Sequence, residues 1–164
     1  MLHNELASSL FVFFHHYLHV PNSIRSLLFD TLNNKGRVDL LRRLAEDSAP
    51  DDVEAMAYAL KCFNICTENR NIIAHSRYLG LLNDGRHSFR KEPTAVTPTT
   101  WDFALTAEEL SKTARDIETL YWHSIFLWGS IRSRGEADER PLPERPPQPR
   151  KLSLFRLEED PVAD

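Results

Sequence analysis

The sequence predicts an all-α fold, an up-and-down bundle of about five helices with an irregular loop or small β-hairpin inserted before the last helix. Two long segments, one beginning near Pro50 and one at Thr106, repeat apolar residues at three- and four-residue steps, as amphipathic helices do. Between them, from Arg77 to Thr100, the helical period is lost. With 164 residues, the chain is long enough to bury a core of its own.

Three shorter helices are predicted before the first long one. The first covers about residues 4–19 and ends at Pro21, and the second runs from Asn22, a favourable N-cap residue, to about Leu32. The Asn-Asn-Lys-Gly run of residues 33–36 separates it from a third helix over about residues 37–46.

The fourth helix opens at residues 49–51, where acidic residues favour a helix N-terminus. One side carries an apolar stripe: Val53, Met56, Leu60, Phe63 and Thr67. The next steps of this stripe reach Arg70 and Ala74, so Arg70 is predicted near the buried face and His75 towards its flank. Because an arginine in a dry core is very costly, Arg70 is expected to have a partner, a wet cleft or a second subunit over it.

The remaining chain divides into an insertion, a helix and a tail. Asp84-Gly85 is a hairpin-type turn signal between residues 78–82 and 87–90, inside an insertion predicted over residues 78–105. Thr106 and Glu109 form a capping box that opens a fifth helix reaching about Arg132. The predicted domain is therefore residues 1–135.

The tail, residues 136–164, holds six of the ten prolines together with charges of both signs, a composition that predicts disorder. Its apolar exceptions are Leu152, Leu154, Phe155 and Leu157. They are open to two interpretations, a short element that docks on a partner or on the domain, or part of a plain solvated tail.

Composition limits the function and the compartment. The net charge of −4 means that any contact with nucleic acid has to come from a local basic patch. Cys62 and Cys66 have neither disulfide nor metal-knuckle spacing, which indicates buried thiols and a cytoplasmic setting. The apolar run of residues 10–14 is too short to span a bilayer and lacks signal-peptide flanks, so no membrane contact is expected.

Arg70, Asn71 and His75 form the pattern R-N-x-x-x-H at the end of the fourth helix. A guanidinium matches two phosphate oxygens, and an imidazole titrates near neutrality and can move a proton. Together they suffice for metal-independent cleavage of RNA, because the ribose 2′-hydroxyl supplies the nucleophile. The competing interpretation is that Arg70 is a cation near a helix C-terminus and His75 its cap.

A local basic patch follows the motif. Between Arg70 and Glu92 five basic residues and two acidic residues give a charge of +3 (5 − 2). A positive face suits a phosphate backbone, although many charge runs are simply solvated. The residues predicted to contact RNA here are Arg77, Tyr78, Arg86, Arg90 and Lys91.

This motif, at the end of a long helix in a small helical chain, resembles the signature of the HEPN superfamily. The resemblance implies a helical bundle that dimerises and acts as a metal-independent endoribonuclease in toxin–antitoxin or defence systems, restrained by an antitoxin or another regulatory protein. Arg70 would bind the scissile phosphate, His75 would handle the proton and Asn71 would orient the pair. Members paired with nucleotidyltransferases carry a tyrosine two residues after the histidine, where this chain has Arg77, with Tyr78 one residue later.

Other constellations are weaker. His15 and His19 lie four apart but lack a glutamate between them and a third ligand, so neither a metal nor a cofactor is predicted. Trp101 in the insertion is a candidate for stacking on bases. Besides a nuclease, the sequence is compatible with a non-catalytic module that binds a nucleotide or protein, and with a structural adaptor that docks through its tail.

Overall fold

The computed structural model describes residues 2–93 and 100–152, which form a mostly helical protein with a small sheet. The elements in chain order are α1 (Leu2–Tyr17), α2 (Asn22–Thr31), α3 (Asn34–Ala45), α4 (Pro50–Ala74), β1 (Ser76–Leu81), β2 (His87–Lys91), β3 (Trp101–Leu105) and α5 (Ala107–Arg132). The prediction of five helices with a β-hairpin before the last is confirmed within these ranges.

The main core lies among the five helices. Helices α1 and α4 both pack on α3 and α5, and α2 packs on α1. Phe14, Leu41, Leu60 and Leu127 are completely buried in this core. Burial of each such side chain stabilises the fold by about 1.5–3 kcal/mol before entropy is counted.

Two helix starts differ from those predicted. Pro21, not Asn22, is the N-cap of α2, and the Asn22 side chain instead accepts a hydrogen bond from Arg25 at 2.8 Å. Helix α3 begins three residues early because the Asn33 side chain accepts a hydrogen bond from the Gly36 N–H at 2.9 Å. The helix break therefore lies at Leu32 and Asn33, and the rest of the Asn-rich run belongs to the first turn of α3. At α5 the predicted capping box is present.

The insertion is an antiparallel sheet in the order β1-β2-β3. The predicted turn is present, with Gly85 at a φ of +82°. The third strand was not predicted, and it carries Phe103, which stacks on Phe89 at 5.4 Å between ring centroids. These rings and Leu105 form a second apolar cluster that also packs on Ile72 and Ile73 near the end of α4. The sheet is thereby fixed to the helix that carries the motif.

Residues 136–152 belong to the tail whose composition predicts disorder; they lie along the helical body, and we call them the C-terminal strap. Arg134 binds buried Asp52 at 2.8 Å, and the chain then reverses at Gly135, which has a φ of +76°. The Ser130 hydroxyl donates to the Pro141 carbonyl at 2.7 Å, and the Tyr58 hydroxyl donates to Pro146. Leu154, Phe155 and Leu157 lie outside the described residues.

The strap runs alongside α4 in the same direction. Arg145 pairs with Glu54 near the start of α4, and Arg150 reaches Asn69 near its end. The helix rises about 22 Å between Glu54 and Asn69, so the strap follows more than half of its length. Five prolines in residues 141–149 hold the strap extended, so ordering it costs less backbone entropy than its polar composition suggests.

Candidate functional site

The motif lies where α4 meets the sheet. The His75 N–H donates to the Asn71 carbonyl at 3.1 Å and closes the last helical turn, which makes His75 the C-cap residue. The Ser76 hydroxyl caps the Ile72 carbonyl at 2.6 Å, and the chain enters β1 at this residue. His75 is therefore exposed at a fixed junction between a buried helix and a sheet.

Arg70 has a polar partner beside it in the chain. Its Nη1 donates to Asn71 Oδ1 at 2.7 Å, so the first two motif residues are joined by their side chains. Arg70 is half-buried and lines a small cavity of about 70 Å³ with Phe63, Thr67 and other residues of the bundle. Among the described residues it has no acidic partner, so its charge is not neutralised.

His75 does not line the Arg70 cavity. Five helical residues correspond to a rotation of about 140° around the axis and a rise of about 7.5 Å. The two side chains of one protomer thus leave α4 in different directions. A single chain brings Arg70 to Asn71 but gives no contact between Arg70 and His75 within the part that the structure describes.

Two of the predicted RNA contacts are engaged in ion pairs. Arg86 pairs with Asp84 at 2.6 Å across the hairpin turn, and Arg90 makes two hydrogen bonds of 2.8 Å to Asp102 on β3. The hydrogen bonds from these guanidinium groups hold the pKa of each carboxyl below its ordinary value. A phosphate would have to compete with a carboxylate at both positions, which weakens their assignment as RNA contacts.

The other three residues predicted to contact RNA lie on the two strands of the hairpin. Arg77 is exposed and lies opposite Arg90 in the β1–β2 register. The Tyr78 ring is 54% exposed, and its hydroxyl lies 3.4 Å from the His87 Nδ1. The Lys91 Nζ lies 5.5 Å from the centre of the Trp101 ring, a cation–π contact. Trp101 is therefore half-buried in the sheet instead of standing in a loop.

Asn69 is the neighbour of the motif that the sequence did not single out. It is 2% exposed, its Nδ2 donates to the Arg150 carbonyl at 2.8 Å, and its Oδ1 accepts from the Leu152 N–H at 3.0 Å. The end of the strap is thus fixed one residue before Arg70. A second row of apolar residues on α4 ends at Asn69; it consists of Cys62, Ile65 and Cys66. This row is the sequence feature that indicates that another segment covers this face of the helix.

Residues 2–93 and 100–152 contain neither a metal-binding cluster nor a helix suited to cross a membrane. No group of three or more His, Cys, Asp or Glu side chains there is placed to hold a metal ion, and His15 and His19 are both exposed. No helix in these ranges combines the length and apolar character that a bilayer crossing requires.

Comparisons of the chain with models of protein families, with curated proteins and with solved structures find no match.

Proposed function

We propose that the C-terminal end of α4 is a metal-independent RNA-cleaving site of HEPN type that two copies of the chain assemble. The observation that supports it best is the un-neutralised Arg70, held by Asn71, on the helix that ends at the exposed His75. The contrast with Arg86 and Arg90 matters, because both of those arginines already bind carboxylates.

The mechanism follows from the chemistry of the three side chains. His75 removes the proton from a ribose 2′-hydroxyl, whose oxygen attacks the adjacent phosphorus and releases the 5′-oxygen of the next nucleotide. The products are a 2′,3′-cyclic phosphate and a 5′-hydroxyl, once the leaving oxygen has taken up a proton. Arg70 binds the phosphate oxygens as negative charge builds on them. Asn71 acts as a positioning residue through its hydrogen bond to Arg70.

The dimer is part of the proposal because Arg70 and His75 of one chain leave α4 in different directions. A two-fold axis near the end of α4 places Arg70 of one copy beside His75 of the other. Cytoplasmic RNA is the proposed substrate, with an antitoxin or regulatory protein as a further partner.

The test is cleavage of a labelled RNA in EDTA by the wild type, Arg70→Ala and His75→Ala. Loss of the proton-transfer group is expected to slow cleavage by about 10²- to 10⁴-fold. Arg43→Ala and His15→Ala, which change exposed residues elsewhere, are controls that retain activity. The proposal is refuted if a confirmed dimer of the wild type cleaves no RNA. It is also refuted if the His75→Ala variant cleaves RNA as fast as the wild type.

Mixing the two inactive variants tests the shared site. A mixed dimer retains one intact Arg70 and one intact His75 on different chains, so activity returns if the two chains build one site. Continued inactivity of a mixture in which mixed dimers are verified refutes the shared site.

The second candidate is a non-catalytic module that binds RNA or a nucleotide at the same surface. The separation of Arg70 from His75 favours it, because binding needs only exposed cations and donors, whereas catalysis needs both side chains at one phosphate. Binding that weakens in Arg70→Ala and Arg77→Ala, without cleavage by any form of the protein, distinguishes this candidate from the nuclease.

A further inference from the structure

A groove of about 560 Å³ lies on a different face of α4 from the Arg70 cavity. Its walls come from three separate parts of the chain, namely α3, α4 and the C-terminal strap. The α4 residues that line it follow helical spacing, at positions 61, 64, 65 and 68, whereas Phe63, Thr67 and Arg70 line the other cavity. The two spaces are therefore independent, and the volume of the groove is within the range of small-ligand sites.

The groove gathers positive charge in an acidic protein. Four basic side chains and one acidic side chain line it, a local charge of +3 (4 − 1) in a chain with net charge −4. The basic residues are Arg42, Lys61, Arg150 and Lys151. Bringing like charges from three segments to one concave surface costs energy unless a counter-charge binds there.

Ion pairs account for only part of this charge. Lys151 pairs with Glu68 at 2.7 Å, and Arg42 makes a looser contact of 3.5 Å with Asp39. Lys61 and Arg150 have no acidic partner among the residues that the structure describes. The ammonium group of one and the guanidinium group of the other remain available to an anion.

We propose that this groove binds an oligophosphate group, with Lys61 and Arg150 as its principal ligands and Asn64 as a neutral hydrogen-bond donor. Arginine binds phosphate oxygens in pairs, and lysine supplies a point charge. The residues that line the groove include no aromatic ring, so the phosphates, rather than a stacked base, carry the recognition. This proposal does not depend on the nuclease proposal.

The groove is complete only when the strap is attached to α4. Asn69 holds the strap at the Arg150 carbonyl and the Leu152 N–H, and this attachment helps to place Arg150 at the groove. A ligand that bridges Lys61 on α4 and Arg150 on the strap joins the two segments. Binding is therefore expected to protect the strap from proteolysis as well as to occupy the groove.

The experiment is titration calorimetry of the full chain with inorganic pyrophosphate at low salt. Lys61→Ala combined with Arg150→Ala is expected to weaken binding by about tenfold or more, since each charged hydrogen bond contributes roughly 1.5–3 kcal/mol. Lys35→Ala combined with Arg43→Ala removes the same charge from exposed residues outside the groove and is expected to bind like the wild type. Circular dichroism verifies that both variants fold.

Further titrations identify the source of the phosphates. ATP that binds more tightly than an RNA with a 5′-triphosphate indicates a free nucleotide, and the reverse order indicates an RNA end. An RNA with a 5′-hydroxyl is the control for backbone binding. No heat change with pyrophosphate, equal affinity in the groove variant and the wild type, or equal losses in both double variants overturns the proposal.

Discussion

Asn69→Ala is the most informative change for the junction between α4 and the strap. The substitution removes two hydrogen bonds, of 2.8 Å and 3.0 Å, that join a fully buried side chain to the backbone of residues 150 and 152. At about 1 kcal/mol net for each bond, the strap loses about 2 kcal/mol of its attachment. That change raises the population of the detached strap by about 30-fold.

Trypsin measures this population directly, because Arg150 and Lys151 are both trypsin sites. Cleavage at the strap is expected to be about 30-fold faster in Asn69→Ala when opening and closing outpace cleavage. Glu68→Gln is the matched control, because its ion pair with Lys151 joins side chains that are 53% and 67% exposed and contributes little. Wild-type cleavage rates in Asn69→Ala, or equal acceleration in Glu68→Gln, would refute the assignment of Asn69 as the anchor.

Three other predictions concern buried groups. Phe103→Ala should lower the free energy of unfolding by about 3–5 kcal/mol in urea, because Phe103 is fully buried at the centre of the sheet cluster. Burial lowers the pKa of His123 below its ordinary 6.5, so the unfolded state takes up the proton more readily. Stability should therefore be fully present above about pH 6.5 and fall as the pH drops below it. Urea titrations should show a shallower fall in His123→Gln, and an unchanged slope would contradict this. Burial raises the pKa of Cys66 to about 12, so iodoacetamide should alkylate it only on unfolding, as mass spectrometry of the peptide would show.

Local signals predicted most of the helical body. The capping box at Thr106 and the stripe through Met56, Leu60 and Phe63 depend only on neighbouring residues, and the structure has both features. Strand β3 could not be predicted in the same way, because a sequence of only five residues carries no clear period. Its pairing with β2 is what buries Phe103.

The candidate site was predictable in position but not in its electrostatics. The pattern alone placed Arg70 and His75 at the end of α4. The ion pair between Arg90 and Asp102 depends on the register of two strands and joins residues twelve positions apart, so no local pattern encodes it. The composition of the strap predicts disorder because proline and mixed charge are common in disordered tails. Here the prolines hold an extended chain whose carbonyls accept hydrogen bonds from Ser130 and Tyr58.

The attachment of the strap also has a consequence for the order of folding. The hydrogen bonds of Asn69 to Arg150 and Leu152 span 81 and 83 positions of the sequence. Helix α4 therefore leaves the ribosome long before the segment that covers it. Closing so long a loop in an unfolded chain costs roughly 4 kcal/mol, whereas docking of α5 on α4 first shortens the effective loop. The strap is therefore expected to attach last. It would then act as a latch that slows unfolding while leaving the rate of folding nearly unchanged.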